Sequence, residues 1–356
     1  MKKKILLGMS GGVDSSVSAL LLLRQGYDVT GVTMRLRPDE YMSESSSGGC
    51  CSLDDIDDAR RVCYQLGIEH LVFNFTEAFR RDVIDVFARE YAAGRTPNPC
   101  IACNRFLKFG ELLRRARELG FWGVATGHYA VVKRDEESGR WLLYRSLSKK
   151  DQSYVLYSMT QDQLAHTLFP LGSMQKPVVR EIARQAGLLV AKKPDSEEIC
   201  FVEDRDYAGF IERYTGKKPS PGDFVDGEGR VLGRHRGITR YTIGQRRGLG
   251  ISFPTPMYVT KIDAEQNRVV LGKEGSQYSS VLTADDLNWI PFDSLSRPIG
   301  AAARIRYQAE PAPAVVTPLE GGRVRVEFSQ PQRSVTPGQA VVFYQKDLVV
   351  GGGTIL

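Results

Sequence analysis

Apolar runs of strand length alternate with segments of helical period through the first part of the chain. The strand-like runs are Ile5–Met9, Tyr27–Thr33, His70–Phe75 and Phe121–Thr126. The helix-like segments are Ser15–Gln25, Ser52–Leu66, Thr76–Ala93 and Arg105–Glu118. Because parallel strands need crossovers that are usually helical, this alternation predicts an α/β fold with a doubly wound parallel sheet.

The pattern changes after the first 200 residues, where glycine, proline and basic residues become dense. Short alternating runs then follow at Met257–Ile262, Arg268–Leu271, Gly300–Tyr307, Arg323–Phe328 and Ala340–Tyr344. Such runs predict a small all-β barrel or sandwich. We therefore expect three domains: an α/β domain over 1–203, a small central domain over 204–278 and a C-terminal β-barrel over 279–356.

Composition is that of an ordinary globular protein, with 42% hydrophobic and 25% charged residues among 356. No apolar run reaches the ~18 residues that span a bilayer, and Ile5–Met9 is too short for the core of a signal peptide. The six cysteines are too few for a secreted disulfide scaffold of this length. We expect a cytoplasmic protein without membrane association, and a monomer.

The net charge of +6 is concentrated in one segment. Residues 205–247 contain ten basic and five acidic side chains, which leaves a net charge of +5. Focused positive charge suits a polyanionic partner such as nucleic acid, and a solvated basic surface is the alternative.

A glycine-rich loop, Ser10–Ser16, lies between the first strand and the first helix. Backbone N–H groups and the helix dipole can bind phosphate there, and Gly11 and Gly12 let the backbone approach an anion. Asp14 would repel phosphate unless a divalent cation bridges them, which implies Mg²⁺. No lysine follows the glycines, so the loop differs from the G-x-x-x-x-G-K-[ST] phosphate loop.

The cysteines divide by their surroundings. Cys63 shares a helical face with apolar residues and is predicted to lie in the core. Cys50 and Cys51 belong to a Ser/Gly-rich segment, 38–52, which is predicted to be either a surface loop or a lid that a ligand orders. Cys103 is placed near a helix N-terminus beside basic residues, which favours the thiolate. Cys200 is predicted to lie in a strand, and the spacing of Cys100 and Cys103 also fits metal binding.

Seven motifs, in order along the chain, carry a resemblance to one enzyme family. They are SGGVDSS (Ser10–Ser16), TPNPCIACN (Thr96–Asn104), ATGHY (Ala125–Tyr129), KDQSYVLY (Lys150–Tyr157), DSEEICF (Asp195–Phe201), YTIGQRRGLG (Tyr241–Gly250) and TPGQAVVFY (Thr336–Tyr344). The first resembles the PP-loop of ATP pyrophosphatases, which split ATP into AMP and pyrophosphate. Together they resemble the tRNA-specific 2-thiouridylase family over nearly the whole chain.

The resemblance implies roles for particular residues. Cys103 matches the nucleophile, and Cys200 matches the cysteine that carries a persulfide. Residues that match ATP contacts are Gly8, Met9, Ser10, Gly11, Gly12, Val13, Asp14, Ser15, Met34 and Gly127. Residues that match tRNA contacts are Asn98, Pro99, Cys100, His128, Lys150, Asp151, Gln152, Arg306, Tyr307 and Gln339. For His128, the sequence alone favours a structural histidine.

The implied reaction is ATP-dependent conversion of the wobble uridine of tRNA for Lys, Glu and Gln to 2-thiouridine. ATP adenylates the C2 oxygen, the Cys200 persulfide attacks C2, and Cys103 attacks the Cys200 sulfur to leave a disulfide. A cysteine desulfurase or relay protein is the implied sulfur donor.

One departure from the family pattern is Cys100, where aspartate is commoner. Three thiolates, from Cys100, Cys103 and Cys200, could instead hold a [4Fe-4S] cluster with one open iron position. Other hypotheses are a PP-loop ligase acting on a small molecule, 2-thiocytidine synthesis, and a tRNA-binding chaperone without catalysis. The paired cysteines and the basic central segment argue against the ligase, and the β-rich C-terminal third argues against 2-thiocytidine synthesis. The intact glycine-rich loop and both cysteines argue against the chaperone.

Overall fold

A computed structural model of the chain describes residues 2–37, 53–195, 199–202 and 206–356. The predicted surface loop or lid at 38–52, with Cys50, Cys51 and the helix start at Ser52, lies outside the described residues. The chain divides into two units. Unit 1 comprises Met1–Val83, Cys100–Glu203 and Asp347–Val349, and unit 2 comprises Ile84–Pro99, Asp204–Lys346 and Val350–Leu356.

Helices are concentrated in the first 215 residues and strands in the remainder. The α-helices of the described residues are α1 (Val13–Arg24), α2 (Leu53–Leu66), α3 (Thr76–Phe79), α4 (Asp85–Ala92), α5 (Pro99–Ala102), α6 (Leu112–Glu118), α7 (Gln161–Ala165), α8 (Lys176–Gln185) and α9 (Tyr207–Thr215). Two π-helical segments, Arg80–Ile84 and Cys103–Glu111, join α3 to α4 and α5 to α6. The strands are β1 (Lys4–Gly8), β2 (Asp28–Arg35), β3 (His70–Asn74), β4 (Gly123–Ala125), β5 (Ala130–Arg134), β6 (Trp141–Arg145), β7 (Thr167–Leu168), β8 (Gly222–Val225), β9 (Val231–His235), β10 (Met257–Asp263), β11 (Arg268–Lys273), β12 (Tyr278–Trp289), β13 (Ile299–Arg304), β14 (Ala312–Leu319), β15 (Arg323–Arg333), β16 (Ala340–Gln345) and β17 (Leu348–Ile355).

Unit 1 is built on a parallel five-stranded sheet of order β3-β2-β1-β4-β7, which confirms the α/β prediction. Its central strand, β1, is apolar because both faces are covered, and Ile5, Leu6 and Leu7 are fully buried. The core also takes in Cys63 of α2, as predicted. Burial raises the pKa of the Cys63 thiol to about 11, so this cysteine is an inert apolar side chain.

Two local predictions in unit 1 were wrong. The helix expected over Arg105–Glu118 begins earlier, at Pro99, because proline suits the first turn, where no N–H partner is needed. Cys103 therefore lies one turn after the first residue of the helix. Cys200 lies in a turn and not in a strand, since the Val202 N–H donates to the Ile199 carbonyl across 3.0 Å.

Unit 2 contains two β-structures, each with its own apolar core. Strands β8–β11 form a four-stranded sheet of order β10-β11-β8-β9, and the predicted hairpin of β10 and β11 is confirmed. Strands β12–β17 form a six-stranded barrel in the order β12-β15-β14-β13-β16-β17, which closes because β12 also pairs with β17. The C-terminal barrel predicted from the sequence is thereby confirmed.

Candidate functional site

The glycine-rich loop leaves the sheet at the carboxyl end of its central strand, β1, and enters α1 at Val13. The loop is held by hydroxyl groups: Ser15 Oγ accepts from the Ser10 N–H at 3.2 Å, and Ser16 Oγ donates to the Gly12 carbonyl at 2.8 Å. Gly12 is the N-cap residue and has no side chain that could cap the helix. The first-turn N–H groups of α1 can therefore receive an anion.

Two glycines make this geometry possible. Gly11 adopts a φ of +66°, and a Cβ there would lie 2.3 Å from the Asp55 carbonyl oxygen. A Cβ on Gly127 would lie 2.9 Å from the Ser15 nitrogen, so only glycine allows the segment after β4 to approach the start of α1. Both are residues that the sequence had assigned to the nucleotide site.

Three of the expected ATP contacts, Gly8, Met34 and Gly127, lie at the same edge of the sheet. Gly8 ends β1 opposite Val32, and Met34 follows two residues further along β2, where it is half-buried. Gly127 comes two residues after β4 ends at Ala125. Ligands of open α/β sheets bind outside the carboxyl ends of the strands, and the structure brings these three residues together there.

A buried lysine that sequence reasoning missed contacts the phosphate loop. Lys176, at the start of α8, is 8% exposed, and its Nζ lies 2.7 Å from Asp14 Oδ1 and 2.8 Å from Oδ2. The same ammonium group lies 2.7 Å from Asp195 Oδ1. Nothing in the local pattern marks Lys176, because a lysine opening an amphipathic helix is ordinarily a solvent-exposed residue.

Two further groups complete this polar network. Tyr129 donates its hydroxyl proton to Asp14 Oδ1 at 2.8 Å, and burial together with the Asp14 charge raises the Tyr129 pKa, so the hydroxyl stays protonated. Burial opposes the ionised form of Asp195, but hydrogen bonds from Lys150 and Lys176 outweigh it and lower the Asp195 pKa. Arg180 also bonds to Asp195, at 2.9 Å. The loop carboxylate, Asp14, is therefore held by Lys176 and Tyr129, and it shares that lysine with Asp195.

The residues of this site provide too few ligands for Mg²⁺ alone, but they fit a Mg²⁺ ion that is bound to ATP. Within the described ranges no three His, Cys, Asp or Glu side chains are grouped as metal ligands, and Asp14 is the single carboxylate of the loop. Mg²⁺ commonly binds one or two carboxylates together with phosphate oxygens and water. Asp14 could supply the protein ligand of such a magnesium–triphosphate.

The two expected reactive cysteines both belong to unit 1. Cys103 is 9% exposed and begins the π-helical segment, while Cys200 is half-buried. Phe201, next to Cys200, packs edge-on against Phe79 of α3 with ring centroids 5.6 Å apart, and α3 also contacts the segment Cys103–Glu111. A shared neighbour in α3 thus connects the two cysteine segments.

The donor set does not fit an iron–sulfur cluster in this conformation. Cys100 is exposed whereas Cys103 is buried, and the described part of the chain contains no group of three metal-ligating side chains. The four described cysteines, at 63, 100, 103 and 200, are all outside disulfides. The cluster hypothesis therefore stays a prediction that the described residues do not support.

The expected tRNA contacts of unit 1 are mostly occupied within the protein. His128 is buried, its Nδ1 lies 2.7 Å from Thr126 Oγ1, and burial lowers its pKa well below the ordinary value. Asp151 is 7% exposed and accepts from the Ser146 and Ser153 N–H groups. Gln152 Oε1 accepts from the Tyr129 N–H, and Lys150 pairs with Asp195. These contacts are structural, so the tRNA assignments stay predictions.

In unit 2, the expected contacts meet around one turn, residues 334–339. Arg306 donates to the Ser334 carbonyl at 2.5 Å and to Thr336 Oγ1 at 2.8 Å. Gln339 Nε2 donates to the Thr96 carbonyl at 2.8 Å, two residues before Asn98 and three before Pro99. Tyr307 is 37% exposed. The structure therefore gathers Arg306, Gln339 and the Asn98 segment, which lie far apart in sequence.

Each described helix is too short or too polar to cross a bilayer.

Comparison with known proteins covers the whole chain. Residues 3–204 match the family model described as tRNA methyl transferase HUP domain, 208–273 match the tRNA methyl transferase PRC-barrel domain, and 279–355 match the aminomethyltransferase beta-barrel domain. A protein of Acetivibrio thermocellus named tRNA-specific 2-thiouridylase MnmA is 56% identical over 99% of both chains. The protein with that name in Heliobacterium modesticaldum is 54% identical, over all of this chain and 93% of the relative. The one in Clostridium acetobutylicum is 53% identical over the full length of both. At this identity and coverage, the chain belongs to the tRNA-specific 2-thiouridylase MnmA family.

Proposed function

We propose that this protein is a tRNA sulfurtransferase, which uses ATP to convert a wobble uridine of tRNA to 2-thiouridine. The observation that carries the proposal is identity above 50% along the full chain to proteins named for this activity. The phosphate loop supports it, since uncapped N–H groups at the start of α1 and the glycines at 11 and 127 suit a triphosphate.

ATP bound at this loop would activate the uracil. Attack by the C2 oxygen on the α-phosphorus expels pyrophosphate and leaves C2 bonded to AMP, a good leaving group. Lys176 holds Asp14 in place, so the loop keeps one orientation while charge develops on the phosphates. Asp14 would supply the protein ligand of Mg²⁺, which would add positive charge beside the phosphates.

Cys200 and Cys103 then transfer the sulfur. The terminal sulfur of a Cys200 persulfide bonds to C2 as AMP departs. The Cys103 thiolate next attacks Cys200 Sγ, and the breaking S–S bond leaves its electron pair on the sulfur held by C2, which becomes the thiocarbonyl. The product enzyme carries a Cys103–Cys200 disulfide, and an external thiol must reduce it before the next turnover.

Nucleoside mass spectrometry tests the proposal. Unmodified tRNA is incubated with ATP, Mg²⁺, a persulfide-generating cysteine desulfurase with cysteine, a thiol reductant and the anaerobically purified protein. We expect ATP-dependent 2-thiouridine from the wild type and none from Cys200→Ser or Cys103→Ser. Cys63→Ala removes an inert core thiol and serves as the matched control, which should retain activity.

The variant Cys100→Ser separates the two sulfur routes. Retained activity agrees with the persulfide route, whereas loss of activity together with iron in the wild-type protein would replace it with the cluster route. AMP formation without thiouridine from any tRNA would contradict the assignment and favour a ligase acting on a small molecule.

A further inference from the structure

A cationic cavity lies in unit 2, within the segment whose sequence is most basic. Its volume is about 230 Å³, and it is lined by Glu212, Lys218, Pro219, Arg236 and Arg240. A water molecule takes up about 30 Å³ of liquid, so the cavity holds a phosphate group with several waters.

The charges that line this cavity do not cancel. Arg240 forms an ion pair with Glu212, which neutralises the single acidic side chain of the lining. In the described part of the chain, the side chains of Arg236 and Lys218 have no acidic partner, and both residues are exposed. Two uncompensated positive charges at one cavity attract an anion.

The walls of the cavity are fixed by specific hydrogen bonds. His235 is 2% exposed; its Nδ1 accepts from the Gly237 N–H at 3.0 Å, so its Nε2 donates to the Asn267 carbonyl at 3.1 Å. Asn267 Nδ2 in turn donates to the carbonyls of Ser220 and Pro221. The segments that carry Arg236 and Lys218 are therefore both tied to the same asparagine.

Close packing of the backbone adds to this rigidity. Gly237, beside Arg236, adopts a φ of +114°, and a Cβ there would lie 2.4 Å from the Cβ of Pro219. The two walls therefore touch at a position that only glycine can occupy. Because the backbone segments that carry the cations are fixed before any ligand arrives, binding costs little ordering of the main chain.

We propose that this cavity binds a phosphate of the RNA backbone, an inference that rests on the proposed function. Arginine presents a fork that matches phosphate oxygens, and lysine adds a point charge. The lining contains no aromatic ring on which a base could stack. The contact is therefore independent of sequence and positions the tRNA instead of reading it.

The test compares two double variants with the same change in charge. Arg236→Ala with Lys218→Ala removes the cavity cations. Arg230→Ala with Arg234→Ala removes two exposed cations of the same unit that lie outside the cavity, beside Asp226 and Asp223. The affinity of each protein for an unmodified tRNA transcript is measured between ~50 and ~200 mM salt.

We expect the cavity variant to lose roughly tenfold in affinity at ~0.1 M salt, and the control to stay close to the wild type. Each phosphate contact contributes about 0.7–0.9 to the slope of log K against log salt, so loss of this one contact should lower the magnitude of the slope by about 0.8. Equal melting temperatures for the three proteins show that folding is not the cause.

Other results overturn the inference in recognisable ways. If both variants keep the wild-type affinity and slope while all three proteins form 2-thiouridine, the cavity is not an RNA contact and the proposed function stands. If inorganic phosphate binds the wild type and is lost only in the cavity variant, but tRNA affinity is unchanged, the site takes a small phosphate compound. If the cavity variant loses tRNA affinity while the wild type forms no 2-thiouridine, the proposed function is wrong but the cavity is still an RNA contact.

Discussion

At the residue scale, Lys176 links two acidic side chains of the described site, because its buried ammonium lies between the carboxylates of Asp14 and Asp195. We expect Lys176→Met to lower the free energy of unfolding by about 3 kcal/mol, since it leaves two carboxylates without their shared cation. Urea denaturation measures the loss. It also gives the coupling with Asp14→Asn in a double-mutant cycle, expected to exceed ~1 kcal/mol.

An exposed ion pair provides the comparison for this cycle. Arg114 pairs with Glu111 and Glu118 on the surface of α6, where solvent screens the charges. Arg114→Met should leave the midpoint of urea unfolding almost unchanged. Additive effects of Lys176→Met and Asp14→Asn would show that the lysine does not act through the loop carboxylate.

Gly11 offers a second prediction at this scale, with a control glycine that has nearly the same φ angle. Gly11 and Gly67 have φ angles of +66° and +67°, but only a Cβ on Gly11 meets another group, the Asp55 carbonyl oxygen at 2.3 Å. Gly67→Ala should therefore cost about 1 kcal/mol of backbone strain. Gly11→Ala adds the clash, so we expect it to be at least ~2 kcal/mol more destabilising and to weaken ATP binding.

Calorimetric ATP titrations and urea denaturation of both variants check this expectation. Equal destabilisation by the two alanines would mean that the loop moves away from Asp55 at no cost. The steric account of the phosphate loop would then be wrong.

At the element scale, closure of the C-terminal barrel depends on the pairing of β12 with β17. A Cβ on Gly353 of β17 would lie 2.5 Å from the Asp285 carbonyl oxygen of β12, whereas one on Gly300 of β13 meets open space. We expect Gly353→Ala to cost about 2 kcal/mol and Gly300→Ala less than ~1 kcal/mol. Hydrogen exchange of the β12 amides should accelerate only in Gly353→Ala. Unchanged protection in that variant would show that β12 and β17 accommodate the added methyl group and keep their hydrogen bonds.

The elements also show what sequence reasoning could and could not reach. Strand β1 was predictable because a run of consecutive apolar residues between polar flanks marks a strand buried on both faces. Strands β12 and β14 were missed, since β12 mixes apolar with exposed acidic and polar residues and β14 contains two prolines. The turn at Cys200 was missed because hydrophobic periodicity does not reveal a single turn hydrogen bond, here from the Val202 N–H to the Ile199 carbonyl.

The residues of the candidate site also include some that the sequence could assign and some that it could not. Its glycines and reactive cysteines stand in contiguous motifs, so the sequence could assign them. Lys176 and Tyr129 reach Asp14 from 162 and 115 positions away. Only the fold places them there.

At the scale of the whole molecule, burial lowers the pKa of three of the four histidines. Burial lowers the pKa of His70, helped by the Arg60 charge; of His128, helped by Lys108; and of His235, against the hydrogen bond with Asn267. In the folded chain these rings therefore bind protons at lower pH than in the unfolded chain, where they titrate near pH ~6.5. Their contribution to stability is complete above that pH and is lost as pH falls towards the folded-state values.

This linkage gives a prediction for the acid side of the stability curve. Because these rings take up protons on unfolding, the slope of the free energy of unfolding against pH should be positive below pH ~6.5, which urea denaturation between pH ~7.5 and ~5 measures. His128→Asn keeps a polar partner for Thr126 but cannot titrate, so its slope should be smaller by about 1.4 kcal/mol per unit. A slope equal to that of the wild type would mean that His128 is solvated and protonated in the folded protein. The ring would then be available to an RNA phosphate, as the family resemblance implies, instead of serving the core.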